Sequence, residues 1–375
     1  MNHVAVVSVC GPSRSSLLAG RFPHNVGYVA NSATASVAAW EKLQDDTLGT
    51  WFTRAGYYTA FMGKYVNGME CDVPLGWHHW GGLTCISAPL RGSNPPGGGG
   101  PDRRRLEEGG APTVRLGGTY NYYNASQWSV AFEDDGRTRV KGETAADDRY
   151  VIHTDIHQST FLAEQAVEQM EIAANRSKPF FIHVTPVMVH VGSCRGPYPS
   201  MSDYAFDDTH REGSLTDPLS GVVTNVAISP CPSVRHKNQF AGQTMPRVPS
   251  WNATQLGTLP DAIAEQADAQ NATAVAKGNS CCKDAWLSER QDFGWRNRSA
   301  ACVDLDDLIG RILEGLATTP GGDTAYMIFT SDNGYHIGEH HLYKGKRTPY
   351  DTDIRLPMYI LGPGVAKGEV RHHPT

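Results

Sequence analysis

An α/β fold with a largely parallel sheet is what this 375-residue chain predicts, and three observations carry that expectation. Short apolar runs alternate with amphipathic segments, the pattern of strand–helix–strand units. Hydrophobic residues make up 40% of the chain and charged residues 19%, the balance of a globular protein. Polar, chemistry-bearing residues directly follow the apolar runs, and open α/β sheets bind ligands at the carboxyl ends of their strands.

Residues 4–9 (VAVVSV) are read as a buried strand leading into a turn at Cys10. Residues 46–55 read as a helix, with Asp45 or Asp46 as N-cap and Gly56 as the stop. Residues 57–62 form a strand ending at Gly63-Lys64. Residues 158–174 are an amphipathic helix with Phe161, Leu162, Ala166, Val167 and Met170 on one face. Residues 179–185 (PFFIHVT) are a buried strand, and residues 304–316 a helix with Leu305, Leu308, Ile309 and Ile312 at helical spacing. Residues 325–330 and 357–361 are two further strands. Two stretches break the rhythm. Residues 88–118 contain NPPGGGGPD and read as an exposed loop. Residues 192–279 are long and turn-rich, the signature of a functional lid or mobile segment.

The composition excludes several classes. A net charge of −6 is too mild for a nucleic-acid partner, and the short run Arg103-Arg104-Arg105 reads as a solvated loop. No apolar run is long enough to span a membrane. The eight cysteines stand at positions 10, 71, 85, 194, 231, 281, 282 and 302. Asn-x-Ser/Thr sequons begin at Asn124, Asn175, Asn252, Asn271 and Asn297. Together they lean toward a secretory or lysosomal protein, although residues 1–9 show no signal-peptide pattern.

The densest chemistry lies between Cys10 and Arg21. Pro12 has no N–H to lose and suits the first turn of a helix. Ser13, or the backbone N–H groups beside it, can face an anion at the helix N-terminus. Arg14 adds a fork matching the oxygens of sulfate or phosphate. The segment therefore reads as a nucleophile, Cys10, held at an anion site; a buried structural cysteine is the plainer alternative. Lys64, behind a glycine at a strand end, can reach an anion as a point charge, and an ordinary surface lysine is its alternative. Asp332 and Asn333 follow a strand and offer hard oxygen ligands suited to Ca²⁺ or Mg²⁺, set against a simple Asp-Asn-Gly turn. Lys346 precedes Tyr350 and Asp351, with Lys344 as its neighbouring competitor. His190 follows a strand, whereas His183 lies within it; His24 and His336 read as polar residues beside the site.

Taken together these segments resemble the sulfatase family. Cys10-Gly11-Pro12-Ser13-Arg14 with Leu17-Leu18-Ala19-Gly20 is similar to that family's cysteine signature over eleven positions. Gly56-Tyr57-Tyr58-Thr59 through Gly63-Lys64 resembles its second signature. Val66 stands where many sulfatases carry histidine, and with Asn67 and Val73-Pro74-Leu75-Gly76-Trp77 it resembles the N-acetylglucosamine-6-sulfatase and algal arylsulfatase branch. Thr330 to Gly334, Gly338-Glu339-His340, Lys346 with Tyr350, and Gly362-Pro363-Gly364 continue the likeness, which covers residues 4–80, 150–192 and 300–366.

The resemblance implies an alkaline-phosphatase-like sandwich with a large, mostly parallel central sheet flanked by helices. It implies that a formylglycine-generating enzyme oxidises Cys10 to formylglycine. Cys10, Arg14, Lys64, His190 and Lys346 would be catalytic, and Cys10, Asp332 and Asn333 would hold Ca²⁺ or Mg²⁺. The substrate would be a sulfated sugar or aryl sulfate, in a lysosomal or extracellular setting. The family also carries an Asp-Asp strand before the cysteine and a small C-terminal domain. With nine residues before Cys10, none acidic, the expectation is an incomplete catalytic domain over residues 1–375 with weak or no turnover and an exposed sheet edge. A phosphoester or phosphonate ester hydrolase of the same superfamily, and an inactive binder of sulfated glycans, are the alternative functions.

Overall fold

In the computed structural model of the chain, the described residues are 3–31, 33–69, 73–83, 122–123, 125–131, 133–136, 149–153, 156–192, 215–216, 223–224, 229–251, 285–340, 342 and 344–370. The strands are β1 (His3–Val4), β2 (Tyr58–Gly63), β3 (His79–Leu83), β4 (Ala125–Ala131), β5 (Arg149–His153), β6 (Phe180–Thr185), β7 (Leu215–Thr216), β8 (Val223–Thr224), β9 (Met327–Thr330), β10 (Arg355–Leu356) and β11 (Met358–Leu361). The helices are α1 (Cys10–Ala19), α2 (Pro23–Val26), α3 (Thr34–Glu41), α4 (Leu48–Arg54), α5 (Gln158–Asn175), α6 (Ala285–Thr318) and α7 (Asp351–Ile354).

A five-stranded sheet in the order β5-β4-β3-β2-β6 forms the centre. β2 runs parallel to β3 and β6, while β3–β4 and β4–β5 are antiparallel. Every residue of β2 is buried, because both faces of this strand are covered. Successive side chains of a strand point to opposite faces. Tyr58, Ala60 and Met62 accordingly join a core with Phe161, Leu162, Ala166 and Met170 of α5 and Leu308 and Ile312 of α6. Phe61 joins the opposite core with Leu18 of α1, Trp40 of α3, Trp77 and Trp80. Helices therefore cover both sides of the parallel part of the sheet. α5 and α6 approach closely at Gly315, where an added Cβ would lie 2.6 Å from Val167 Cγ2.

Some elements differ from the sequence expectation. Of residues 4–9, only Val4 is in a strand, pairing with the two-residue β10. Ala5 still donates to Ile354 O at 2.7 Å, but Val4 and Val6 are 50% and 53% exposed. So short a partner strand cannot extend the pairing. The N-cap of α4 is Thr47 rather than Asp45 or Asp46, and its N–H donates to Thr50 Oγ1 at 3.0 Å. Asp46 accepts instead from Trp51 Nε1 at 2.7 Å and pairs with Arg21.

β6 is half-buried rather than fully buried. The helix expected at 304–316 extends back to Ala285. Its polar first half is held by residues 229–251: Asp292 Oδ1 accepts from Met245 N (2.9 Å) and Arg247 (2.7 Å), and Asn297 donates to Ser229 Oγ (3.0 Å). β9 pairs with β11 as an antiparallel pair. The stretch 88–118 lies outside the described residues, as does most of 192–279; within the latter, residues 229–251 are turns and extended segments.

Candidate active site

The site is assembled where several chain segments end. β2 delivers Lys64, β6 leads to Thr185 and His190, β9 leads to Asp332 and Asn333, and α1 begins at Cys10. Gly63 makes the approach of β2 to β6 possible. Its φ is +112°, and a Cβ there would lie 2.2 Å from Thr185 O, a position only glycine fits. In this register Lys64 N donates to Thr185 O at 2.8 Å. The Lys64 carbonyl accepts from Thr185 Oγ1 (2.7 Å) and from Arg14 (2.6 Å).

Arg14 Nε also donates to Asp332 Oδ2 at 2.7 Å, so one guanidinium ties α1 to the ends of β2 and β9. Lys346 Nζ donates to Cys10 Sγ at 2.6 Å and to Asn333 Oδ1 at 3.0 Å. His190 is hydrogen-bonded to Cys10, and its Nδ1 meets Val191 O at 2.7 Å. A carbonyl can only accept, so Nδ1 carries the hydrogen there and Nε2 is the nitrogen left for the cysteine.

The electrostatics follow from this crowd of cations. Burial, with Cys10 only 2% exposed, pushes its thiol up. The His190 hydrogen bond and the charges of Lys64 and Lys346 outweigh burial and the opposing Asp332, and bring the thiol down from 9.0 to about 5. Burial likewise acts to raise Asp332, but Arg14, Lys64 and Lys346 hold its carboxyl well below the usual carboxylate range. The pocket thus stabilises negative charge at both groups.

All of the residues expected at the site are therefore neighbours: Cys10, Arg14, Lys64, His190, Asp332, Asn333 and Lys346. Of the two competing lysines, it is Lys346 that reaches Cys10. His183 packs against Phe61 and Phe181, and burial, aided by Arg14, brings it to about 4, so it stays neutral near pH 7. His24 is exposed and stacks on Phe22.

Of the anion contacts expected at the start of α1, from Ser13 or from backbone N–H groups, the backbone alternative does not hold for Gly11 and Ser13. The first-turn N–H groups of α1 are engaged elsewhere, Gly11 with Asn31 Oδ1 (2.8 Å) and Ser13 with Val9 O (2.9 Å). The cationic donors around Cys10 are side chains instead. Sequence reasoning also missed Asp353. Fully buried, it accepts from His336 Nδ1 (2.9 Å), Thr348 N (3.0 Å) and Thr348 Oγ1 (2.7 Å), fixing the loop that carries Lys346. The available signal was an acid two residues after Asp351, placed just before an apolar strand.

The neighbours of Cys10 Sγ are the hydrogen-bonding groups of Lys346 and His190, which suit an oxygen as well as a sulfur, so a formylglycine fits there. For a hard divalent ion, Asp332 and Asn333 are ligands of the right kind. Asp332 Oδ2 is engaged by Arg14 and Asn333 Oδ1 by Lys346. Calcium takes about six to eight oxygens, and one carboxylate with one amide is only part of such a site among the described residues.

A buried cysteine among cationic side chains, at the strand ends of an α/β fold, is a pocket suited to an anion. The sulfatase family model matches residues 1–375, and the chain belongs to that family. An arylsulfatase of Volvox carteri is 25% identical over 372 residues, covering 97% of this chain and 45% of the relative. An N-acetylglucosamine-6-sulfatase of Bos taurus is 25% identical, covering 96% and 48%. The chain thus spans about half the length of the curated relatives it matches. Among solved structures, a protein in complex with its substrate D-glucosamine-2-N,6-O-disulfate matches with a TM-score of 0.52 at 20% identity, covering 96% of this chain and 63% of that one. The architecture is the alkaline-phosphatase-like α/β fold of such neighbours.

Proposed function

We propose that this chain is the core of a sulfuric ester hydrolase that acts through a formylglycine made from Cys10. The observation that carries the proposal is the position of Lys346 Nζ, 2.6 Å from the buried Cys10 Sγ, with Arg14, Lys64 and His190 gathered around the same group. A hydrated formylglycine supplies one hydroxyl as nucleophile and a second through which sulfate is later released. Lys64 and Lys346 neutralise the sulfuryl oxygens, and Arg14, held by Asp332 and the Lys64 carbonyl, adds a fixed charge beside them. His190, oriented by Val191 O, holds a proton at Nε2 for the departing ester oxygen. Asp332 and Asn333 are proposed as two ligands of a Ca²⁺ or Mg²⁺ ion, which would add charge stabilisation when bound.

The substrate class we infer is a 6-sulfated glucosamine or an aryl sulfate, supported by the names of the similar proteins. A secretory setting is supported by Cys231, which is disulfide-bonded. The test is co-expression with a formylglycine-generating enzyme, followed by the mass of the peptide spanning residues 1–14 and by assays on aryl sulfate and aryl phosphonate. Conversion of Cys10, with sulfate ester turned over in preference to phosphonate, is expected. An unconverted Cys10 or a preference for phosphonate overturns the reading; an unconverted Cys10 with retained binding of sulfated sugar points to a binding protein instead.

A further inference from the structure

We propose a second metal site, distinct from the Cys10 pocket, at which His236, Asp304 and Asp307 bind a zinc-class divalent cation. These residues join the 229–251 segment to α6. Their candidate ligand atoms all lie within 4.8 Å of one another. His236 Nε2 is 2.9 Å from Asp307 Oδ2 and 3.9 Å from Asp304 Oδ1. Two ligands bound tetrahedrally to zinc at about 2.0–2.2 Å sit roughly 3.4 Å apart, and the two observed separations bracket that value.

Three observations point to a cation rather than to a chance cluster. First, Asp304 is 0% exposed, and its Oδ1, which faces His236, is buried without a hydrogen-bond partner. Its other oxygen is satisfied by Ser233 N at 2.7 Å. A buried carboxylate oxygen left unpaired costs several kcal/mol in an apolar setting, whereas a metal would satisfy it.

Second, His236 Nδ1 lies 3.1 Å from Gln239 Oε1. With Nδ1 donating there, Nε2 is the nitrogen that faces the two carboxylates, 2.9 Å from Asp307 Oδ2, where either its own hydrogen or a bound cation can satisfy them. This is the arrangement of a ligating histidine oriented by an outer hydrogen bond. Third, the hydroxyl of Ser233, a residue 6% exposed whose N–H donates to Asp304 Oδ2, is also buried without a partner.

A ligand set of one imidazole nitrogen with carboxylates suits Zn²⁺ better than Ca²⁺ or Mg²⁺, which take oxygen alone. The competing charge is Arg235, which donates to Asp307 Oδ2 at 2.7 Å but is 66% exposed. It can swing into solvent when an ion arrives. A bound ion would fasten the turn-rich 229–251 segment to α6.

The test uses the full 375-residue chain, stripped with chelator and titrated with Zn²⁺ and with Co²⁺ in excess Ca²⁺ and Mg²⁺. Stoichiometry is read by equilibrium dialysis and ligand geometry by the visible Co²⁺ spectrum. One Zn²⁺ per chain is expected, with affinity falling at least tenfold in both His236→Gln and Asp307→Asn and unchanged in Asp332→Asn. Asp307 is 41% exposed, so its variant folds even if the histidine variant does not. Zn²⁺ should also raise the unfolding temperature of the wild type and not of the two variants. Absence of Zn²⁺ binding, or equal binding by the wild type and both variants, overturns the site and leaves a protonated His236 as the cation between the carboxylates.

Discussion

Lys346 and Asp353 show how single side chains set the chemistry of the Cys10 pocket. Lys346 contacts both Cys10 Sγ and Asn333 Oδ1, so its charge is delivered at the group we propose as the reacting one. In the formylglycine-bearing protein, Lys346→Ala is expected to lower kcat for a sulfate ester by about 10²-fold, the size of losing one preorganised donor to the developing charge. Steady-state kinetics check this.

Asp353 acts one step away, by fixing the loop. Burial acts to raise its carboxyl, but hydrogen bonds from His336 and Thr348 hold it below the usual range of 3.8. A carboxyl depressed in the folded state contributes stability that is fully present above its unfolded value and is lost as the pH falls through the folded value. Asp353→Asn should therefore destabilise the chain by about 3 kcal/mol at neutral pH. The gap from wild type should narrow below about pH 4, as read by denaturant unfolding across pH.

Among the elements, α5 and α6 pack together on one face of the sheet and share one core with β2. Gly315 lets α6 lie against Val167 of α5, and an added methyl would meet Val167 Cγ2 at 2.6 Å. Gly315→Ala should cost about 1–3 kcal/mol through overpacking, despite alanine's better helix propensity. The double variant with Val167→Ala should recover part of the loss, and thermal unfolding of both decides it. α5 was legible from residues 158–174 because its apolar spacing is helical throughout. The first half of α6 was not, since Asp292 and Asn297 turn polar groups inward to partners far away in sequence. The N-cap of α4 was misjudged by one or two residues because Asp46, a good cap in isolation, is claimed by Trp51 and Arg21.

For the molecule as a whole, the structure separates sequons that look alike in sequence. Asn297 is 4% exposed and lies within α6, where its amide donates to Ser229 Oγ. Asn175 ends α5 and is exposed. Expressed through a secretory pathway, the chain should carry a glycan at Asn175 and none at Asn297, so Asn175→Gln removes one glycan from the intact mass. A glycosylated Asn297 would contradict this packing. Cys10 and Cys302 are free thiols among the described residues, whereas Cys231 is disulfide-bonded. No helix among the described residues is long and apolar enough to cross a membrane.

What the sequence by itself determined is the class of fold, the run of strands and helices around β2, and the residue types of the Cys10 pocket. Local spacing encodes these: period two and period 3.6 set the elements, and the Cys10 to Gly20 signature names a chemistry. The tertiary structure alone decided which donors face Cys10, since Lys346 arrives from 336 positions away and the backbone N–H of Gly11 is drawn off by Asn31. It also decided the anchoring role of Asp353 and the meeting of His236 with Asp304 and Asp307. Each depends on which distant groups share a buried space, where an unpaired charge is costly and a partner must be found, and no local pattern records that.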